Sequence, residues 1–571
     1  MDPFVLLDDA LSGDATLLTG LARVDLVTLA DLDDTLASGW LDGLHCFAWL
    51  PYDLGEAELR VGDGASGALY WFRERTPGAH PPPATGQGWV ADLGTSSTEA
   101  EFTAAVERIQ AAIAAGSTYQ INHTHRLVGR LLGDPRGLYS ALRARQPVAF
   151  GVLAHLPGPA ASWTLSLSPE LFLSVDGEVA TTRPMKGTAP ADTDPEALRE
   201  GPKNRAENLM IVDLLRNDLS RVAVPGTVEV PSLFDVERVG ALWQMTSTVT
   251  ARLHPGTTPA HLLRATFPCG SITGAPKLSS MRIVRGLEPD RRGIYTGSLG
   301  TITPTPDPPG WSMTLSVAIR TLEIDDEGTV RLGIGSGIVA DSTAAGEWRE
   351  GLDKARFITD HRPTLRVKET MAVVDGACRL ADAHRARLAA SLRALGFAPA
   401  PYAVDEAVAA TGPGAWRVAL EVDADGGSHV ARARLEPTPE PVSALLAPTP
   451  WTVGPLSRHK TSERAHLDEA VAAATGQGAF DTIGHDERGM VLEGGRSNVF
   501  ARIGGRWLTP ASRLGILPGI QRAELLADPG LIGAETIDEA EFTVENLRTA
   551  DRVVLTNALR GPLVARVEDL A

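Results

Sequence analysis

At 571 residues the chain is too long for one hydrophobic core, and its size implies about three or four domains or subdomains. Its 43% hydrophobic and 22% charged residues are ordinary for a globular chain, and no apolar run nears the roughly 20 residues that span a bilayer. A net charge of −18 argues against a general nucleic-acid or anionic-membrane surface, since both need clustered Lys and Arg, but leaves room for a small anion in a locally positive or metal-bearing pocket.

The opening MDPFVLLDDA lacks the basic segment of a signal peptide, so a cytoplasmic location is expected. Cys46, Cys269 and Cys378 are scattered without metal-ligand spacing and read as buried thiols. TPGAHPPPATGQG (76–88) is a loop before EFTAAVERIQAAIAAG, whose apolar spacing and glycine stop predict a helix. LFLSVDGEVATTR reads as a β-hairpin turning at Asp176-Gly177. Pro184 then removes a ladder donor and leaves Lys186, a poor strand-interior residue, at a strand end.

In KNRAENLMIVDLLRNDLSRV, Glu207 shares a helical stripe with Ile211 and Leu214. In DSTAAGEWREGLDKARF, Glu347, Glu350 and Lys354 share one helix face while Trp348, Leu352 and Ala355 share another. Two acids one turn apart form either a solvated face relieved by Lys354 or a carboxylate site for a hard cation such as Mg²⁺. GSITGAPK (270–277) and GIGSG (333–337) are glycine-rich turns whose amides can approach an anion; Gly274 reads as a left-handed position, and the second run is not a dinucleotide fingerprint.

A break near 359–366, TDHRPTLR, ends the first half. VKETMAVVDGACRL then reads as a hairpin, and LADAHRARLAASLRALGF as a helix with Arg385 and Arg387 beside its apolar face. The Pro-rich run 435–455 divides the remainder into subdomains of about 365–440 and 450–571. SNVFARIGGRWLTP predicts a hairpin at Gly504-Gly505, and Pro518-Gly519 opens a helix whose N-terminus suits a phosphate.

Taken in order, TYQINHTHR (118–126), SPELFLSV (168–175), RPMKGT (183–188), KNRAENLMIVDLLRNDLSRV, GSITGAPK, LSVAIRTL (315–322) and GIGSGIVADSTAAGEWRE resemble the chorismate-utilising enzymes, which include anthranilate, isochorismate, salicylate and aminodeoxychorismate synthases. The resemblance covers residues 1–360 and implies a chorismate-binding β-sandwich with surrounding helices. It makes Lys186 the nucleophile at chorismate C2, a position that is small in the anthranilate enzymes, and Glu170 the acid that protonates the departing hydroxyl. Ammonia would then add at C4. Glu207 and Glu350, with Glu347 beside them, would hold Mg²⁺, while Thr273, Arg320, Gly335, Gly337 and Lys354 would bind substrate. Gln120 stands where the water-adding relatives have lysine, and Gln244 where many members have histidine. No cysteine sits in a glutaminase nucleophile elbow, so ammonia is expected from a separate subunit or from solution, with a glutamine amidotransferase subunit as the expected partner.

SRHKTSERA (457–465), VLEGGRSNVF (491–500), LGILPGIQRAELL and VVLTNALRGPLV (553–564) resemble the fold type IV pyridoxal-phosphate enzymes, over residues 361–571. That resemblance implies a two-subdomain fold, an α/β (α+β) class for the whole chain, and a homodimer through this domain. Lys460 would carry pyridoxal phosphate, Glu493 would face the pyridine nitrogen, and Arg387, Gly519, Ile520 and Thr556 would hold the phosphate. Together the halves would aminate chorismate and then release pyruvate to leave 4-aminobenzoate for folate. An aminotransferase of other specificity and a non-catalytic module both stay open for the second half.

Overall fold

The computed structural model describes residues 1–159, 161–239 and 242–569, in two compact units, Met1–His361 and Arg362–Ala571. The first unit is built on one long path of antiparallel strands. From Gln120–Gly133 the path runs through Thr329–Ile338, Thr321–Ile324, Trp163–Ser168, Phe150–His155 and Phe4–Asp9. It continues through Asp14–Val27, Gly67–Pro77, His45–Leu50, Ser298–Pro304, Trp311–Val317 and Leu171–Asp176. It ends at Val179–Arg183 and Leu242–Arg252, the latter carrying Met185–Pro190 and Glu229–Val239 as further partners.

Alternation along these strands buries one face of each against the other half of the path. Val5, Leu18, Phe47, Tyr70, Phe72, Val152 and Leu299 fill the space between. The outer faces are covered by helices: Ile211, Val212, Leu215 and Leu219 of the helix Pro202–Ser220 pack on Phe172, Val175 and Val249, and Leu138, Tyr139 and Leu142 of Pro135–Arg145 pack with Leu165 and Leu332. The helix Glu99–Ala114 forms where the apolar spacing predicts it, closed at its start by a reciprocal Thr98 and Glu101 capping box. The hairpin at Asp176-Gly177 also forms.

In the second unit, Val367–Val374, Ala415–Val422 and Ser428–Arg434 make an antiparallel sheet covered by the helix Ala381–Ala394. An eight-stranded mixed sheet follows, from Val442–Leu446 to Gly561–Asp569. Its Gly504-Gly505 hairpin is present, with both glycines at positive φ. The expected hairpin in VKETMAVVDGACRL is not. Only Val374 and Ala377 bridge across Asp375-Gly376, and the long partner of Val367–Val374 comes from residues 415–422. Gly274 has φ +139°, outside the left-handed helical well but in a region that still requires glycine. Among the described residues no helix is long and apolar enough to cross a membrane.

Candidate active sites

In the first unit the strand Met185–Pro190 hangs on Leu242–Arg252, with a register slip between Met185 and Thr188 that lifts Lys186 off the ladder. Lys186 Nζ donates to the Ser271 carbonyl at 3.2 Å, and Ser271 Oγ donates to Glu170 Oε1 at 2.6 Å. One turn residue thus spans the amine and the acid. Glu170 ends the loop before Leu171–Asp176 and is buried; burial pushes its carboxyl up, against the pull of Ser271 and Lys186. Burial pulls Lys186 down, with Glu170 opposing and Lys354 adding to the effect. The result is a protonatable acid beside an amine biased towards its neutral, nucleophilic form.

The three acids expected around a metal lie within electrostatic reach of one another. Burial raises the Glu207 carboxyl, and Glu350 and Glu347 add to the rise. Each nevertheless has a protein partner: Glu207 Oε1 is 3.9 Å from Lys203, Glu350 pairs with Lys354 at 2.8 Å, and Glu347 Oε1 accepts from Ser342 Oγ at 2.7 Å. Among the described residues, no three of these groups close into a metal-ligand cluster. Glu347 Oε2 remains buried without a partner, so the donor chemistry fits a hard cation even though the acids are spread out.

Arg320 adopts a positive φ of 51°, is pulled to about 10 by burial, and keeps Nη1 without a partner. That is an anion-seeking group. Lys354 also donates to the Gly335 carbonyl at 2.8 Å, which fixes the acidic helix to the strand Thr329–Ile338. Thr273 sits in the 270–274 turn, its hydroxyl spent on the Cys269 and Gly270 carbonyls. Gln120 and Gln244 are buried, with Oε1 and Nε2 respectively unpartnered. Ser271 is the residue whose bridging role the sequence did not reveal.

In the second unit Lys460 Nζ donates to Thr370 Oγ1 at 2.9 Å. Burial, helped by Arg387, lowers the lysine to about 7. Glu493 is pushed up to about 8 by burial and accepts from the Leu517 amide at 3.0 Å. Such a carboxyl calls for a cationic partner. Arg387 is committed through Nε and Nη2 to Glu369, which also takes His384 Nδ1 at 2.6 Å. Burial alone would raise Glu369; Arg387 and His384 hold it instead at about 2. Gly519 caps the helix Ile520–Ala527, and a Cβ there would meet Asn498 Oδ1 at 1.9 Å, so any larger residue would displace Asn498 from its bond to the Leu517 carbonyl. Ile520 is buried, and Thr556 Oγ1 is buried and unpartnered. Lysine, a carboxyl with no ion pair among the described residues, helix N-terminus and orphaned hydroxyl together fit pyridoxal phosphate. Arg387 fits only through the Nη1 edge that Glu369 leaves open. Thr370, Glu369, His384 and Asn498 escaped sequence reasoning, because their partners lie far along the chain.

The first unit matches a known family. Residues 54–360 match the model for chorismate binding enzymes and residues 366–566 that for amino-transferase class IV. As the first match takes in more than half of the chain, this protein belongs to the chorismate binding enzyme family. It is 41% identical over 278 residues to anthranilate synthase component 1 of Streptomyces coelicolor, covering 47% of this chain and 52% of that protein. It is 39% identical over 310 residues to aminodeoxychorismate synthase component 1 of Klebsiella aerogenes, covering 53% of this chain and 66% of that protein. The chain thus spans about half to two thirds of the length of these curated relatives. The fold is that of the menaquinone-specific isochorismate synthase of Escherichia coli (TM-score 0.53, 17% identity, 62% of this chain and 88% of that one).

Proposed function

We propose that the first unit aminates chorismate at C4 and that the second removes pyruvate from the product, leaving 4-aminobenzoate. The observation that carries the first step is the Ser271 bridge, which links a buried amine, biased towards its neutral form, to a buried carboxyl that burial biases towards its protonated form. Lys186 Nζ attacks ring C2; the double bond shifts, and the C4 hydroxyl leaves as water with the Glu170 proton. Ammonia then adds at C4 and expels the lysine. Glu207, Glu347 and Glu350 would hold Mg²⁺, which would offset the charge of a substrate carboxylate, and Arg320, with Thr273 and the amides near Gly335 and Gly337, would take up the other anionic charge. Ammonia comes from a separate glutaminase subunit.

In the second unit Lys460 would hold pyridoxal phosphate, Glu493 would face its ring nitrogen, and Arg387, Gly519, Ile520 and Thr556 would receive its phosphate. When bound, the cofactor serves as an electron sink. Lys460, about half neutral at pH 7, would take the proton from C4, and aromatisation would drive pyruvate out. A homodimer through this unit, a cytoplasmic location and service to folate synthesis belong to the same proposal, as does the assignment of 1–360 and 361–571 to the two activities.

Amination at C2 is a second reading, favoured by the 41% identity to an anthranilate synthase component; Lys186 favours C4. Timed product analysis with chorismate, ammonium and Mg²⁺, with and without pyridoxal phosphate, separates them. The proposal expects 4-aminobenzoate and pyruvate together, arrest at aminodeoxychorismate in Lys460→Ala, and loss of C4 amination in Lys186→Ala. Anthranilate as product would establish C2 amination, and aminodeoxychorismate accumulating whatever the cofactor would remove the lyase step.

A further inference from the structure

A cavity of about 260 Å³ in the second unit is lined by Ala372, Cys378, Arg379, His384, Arg560 and neighbouring backbone, and none of these has a role in the reaction above. Two features of the chain set it beside the Lys460 site. Ala372 lies two residues beyond Thr370 on one strand, hence on the same face as the hydroxyl that receives Lys460 Nζ. The lining segment from residue 558 is the turn that directly follows the strand Arg552–Asn557, which carries Thr556. A two-residue strand repeat is roughly 7 Å, on the scale of a six-membered ring bearing substituents at opposite ends.

The lining is cationic and has unused donors. Arg560 makes no ion pair among the described residues; Nη1 is taken by the Glu436 carbonyl and Thr438 Oγ1, which leaves Nη2 and Nε. Arg379, paired with Glu524 and Gln521, adds a partly neutralised charge at the rim. His384 is wholly buried, with Nδ1 held by Glu369 and Nε2 unpartnered. A buried ring nitrogen and a free guanidinium edge around one cavity call for an acceptor that carries negative charge.

We propose that this cavity is a carboxylate subsite, with Arg560 as its principal donor, which selects substrates carrying a carboxylate across the ring from the amine that reaches Lys460. The proposal rests on the lyase reading for the identity of the substrate, but not for the existence of the subsite. Arg560 is a specificity-determining residue and takes no part in proton transfer.

The test uses the full chain loaded with pyridoxal phosphate and follows the absorbance and circular dichroism of the bound cofactor during titration with 4-aminobenzoate or its neutral analogue 4-aminobenzamide. The carboxylate is expected to bind at least about tenfold more tightly, the worth of one charge-assisted contact. Arg560→Gln should abolish that preference while leaving the cofactor band and amide binding intact, and Arg560→Lys should keep part of it. Equal binding of the two probes, or a preference that survives in a cofactor-loaded Arg560→Gln protein, overturns the subsite. Pyruvate release from aminodeoxychorismate reports separately on the lyase reading: its absence with the preference intact ends that reading alone, whereas normal release with unchanged KM in Arg560→Gln ends the subsite alone.

Discussion

Ser271 ties two groups of opposite demand, and its hydroxyl and carbonyl can be separated experimentally. The hydroxyl stabilises the charged form of Glu170, so its removal raises that carboxyl further. Ser271→Ala is expected to lower amination roughly tenfold, the worth of a hydrogen bond to an ionisable group, and to move the alkaline limb of the kcat/KM profile upward, because the acid keeps its proton to higher pH. The carbonyl bond to Lys186 survives the change. Lys460 carries the opposite lesson: its folded value of about 7 lies below the ordinary 10.5, so the unfolded chain binds the extra proton and the cofactor-free fold gains stability as pH rises between the two. Lys460→Met should therefore raise the melting temperature of cofactor-free protein at pH 7 while abolishing cofactor capture. In wild type, the rate of capture should rise through about pH 7 and level off above it.

Strand glycines separate tolerance from necessity. A Cβ on Gly335 would stand 2.4 Å from the His123 carbonyl of the paired strand, a backbone atom that cannot move without opening the ladder. Gly335→Ala should cost about 1–3 kcal/mol, read as a lowered denaturation midpoint. A Cβ on Gly337 would stand 2.5 Å from the end of the Gln120 side chain, which can swing aside, so Gly337→Ala should leave the midpoint close to wild type. Elements of this size also mark how far the sequence could be read. The helix Glu99–Ala114 and the Asp176-Gly177 and Gly504-Gly505 hairpins carry their signals locally, and so were legible. Val367–Val374 does not: its Asp375-Gly376 turn imitates a hairpin, but the partner arrives some forty residues later. Candidate site residues could be named from the sequence where ordered motifs carried them. Ser271, Glu369, His384 and Thr370 were not, since their roles come from contacts between segments distant in sequence.

At the scale of the molecule, each unit has its own core and its own set of candidate site residues. Hydrogen exchange should report this: pyridoxal phosphate is expected to increase protection within 362–571 and chorismate with Mg²⁺ within 1–361. Acid should act on the second unit through Glu369. Its folded value of about 2 is below the ordinary 4.5, so its contribution is complete above pH 4.5 and is lost as pH falls towards 2. Denaturant midpoints of Glu369→Gln and wild type should accordingly converge over that interval.

The strand path of the first unit has a kinetic corollary. Gly335 and Gly337 lie on the second strand of the path and Lys186 on its last branch, and the 270–275 turn, pairing with Gln120 and Ile121, brings those regions together. Much of the local structure can form before the extremes of the path meet, since loop closure over so long a separation is the slow event. During refolding, recovery of tryptophan fluorescence should run ahead of recovery of chorismate turnover, and the interval between them measures how long the path takes to close on itself.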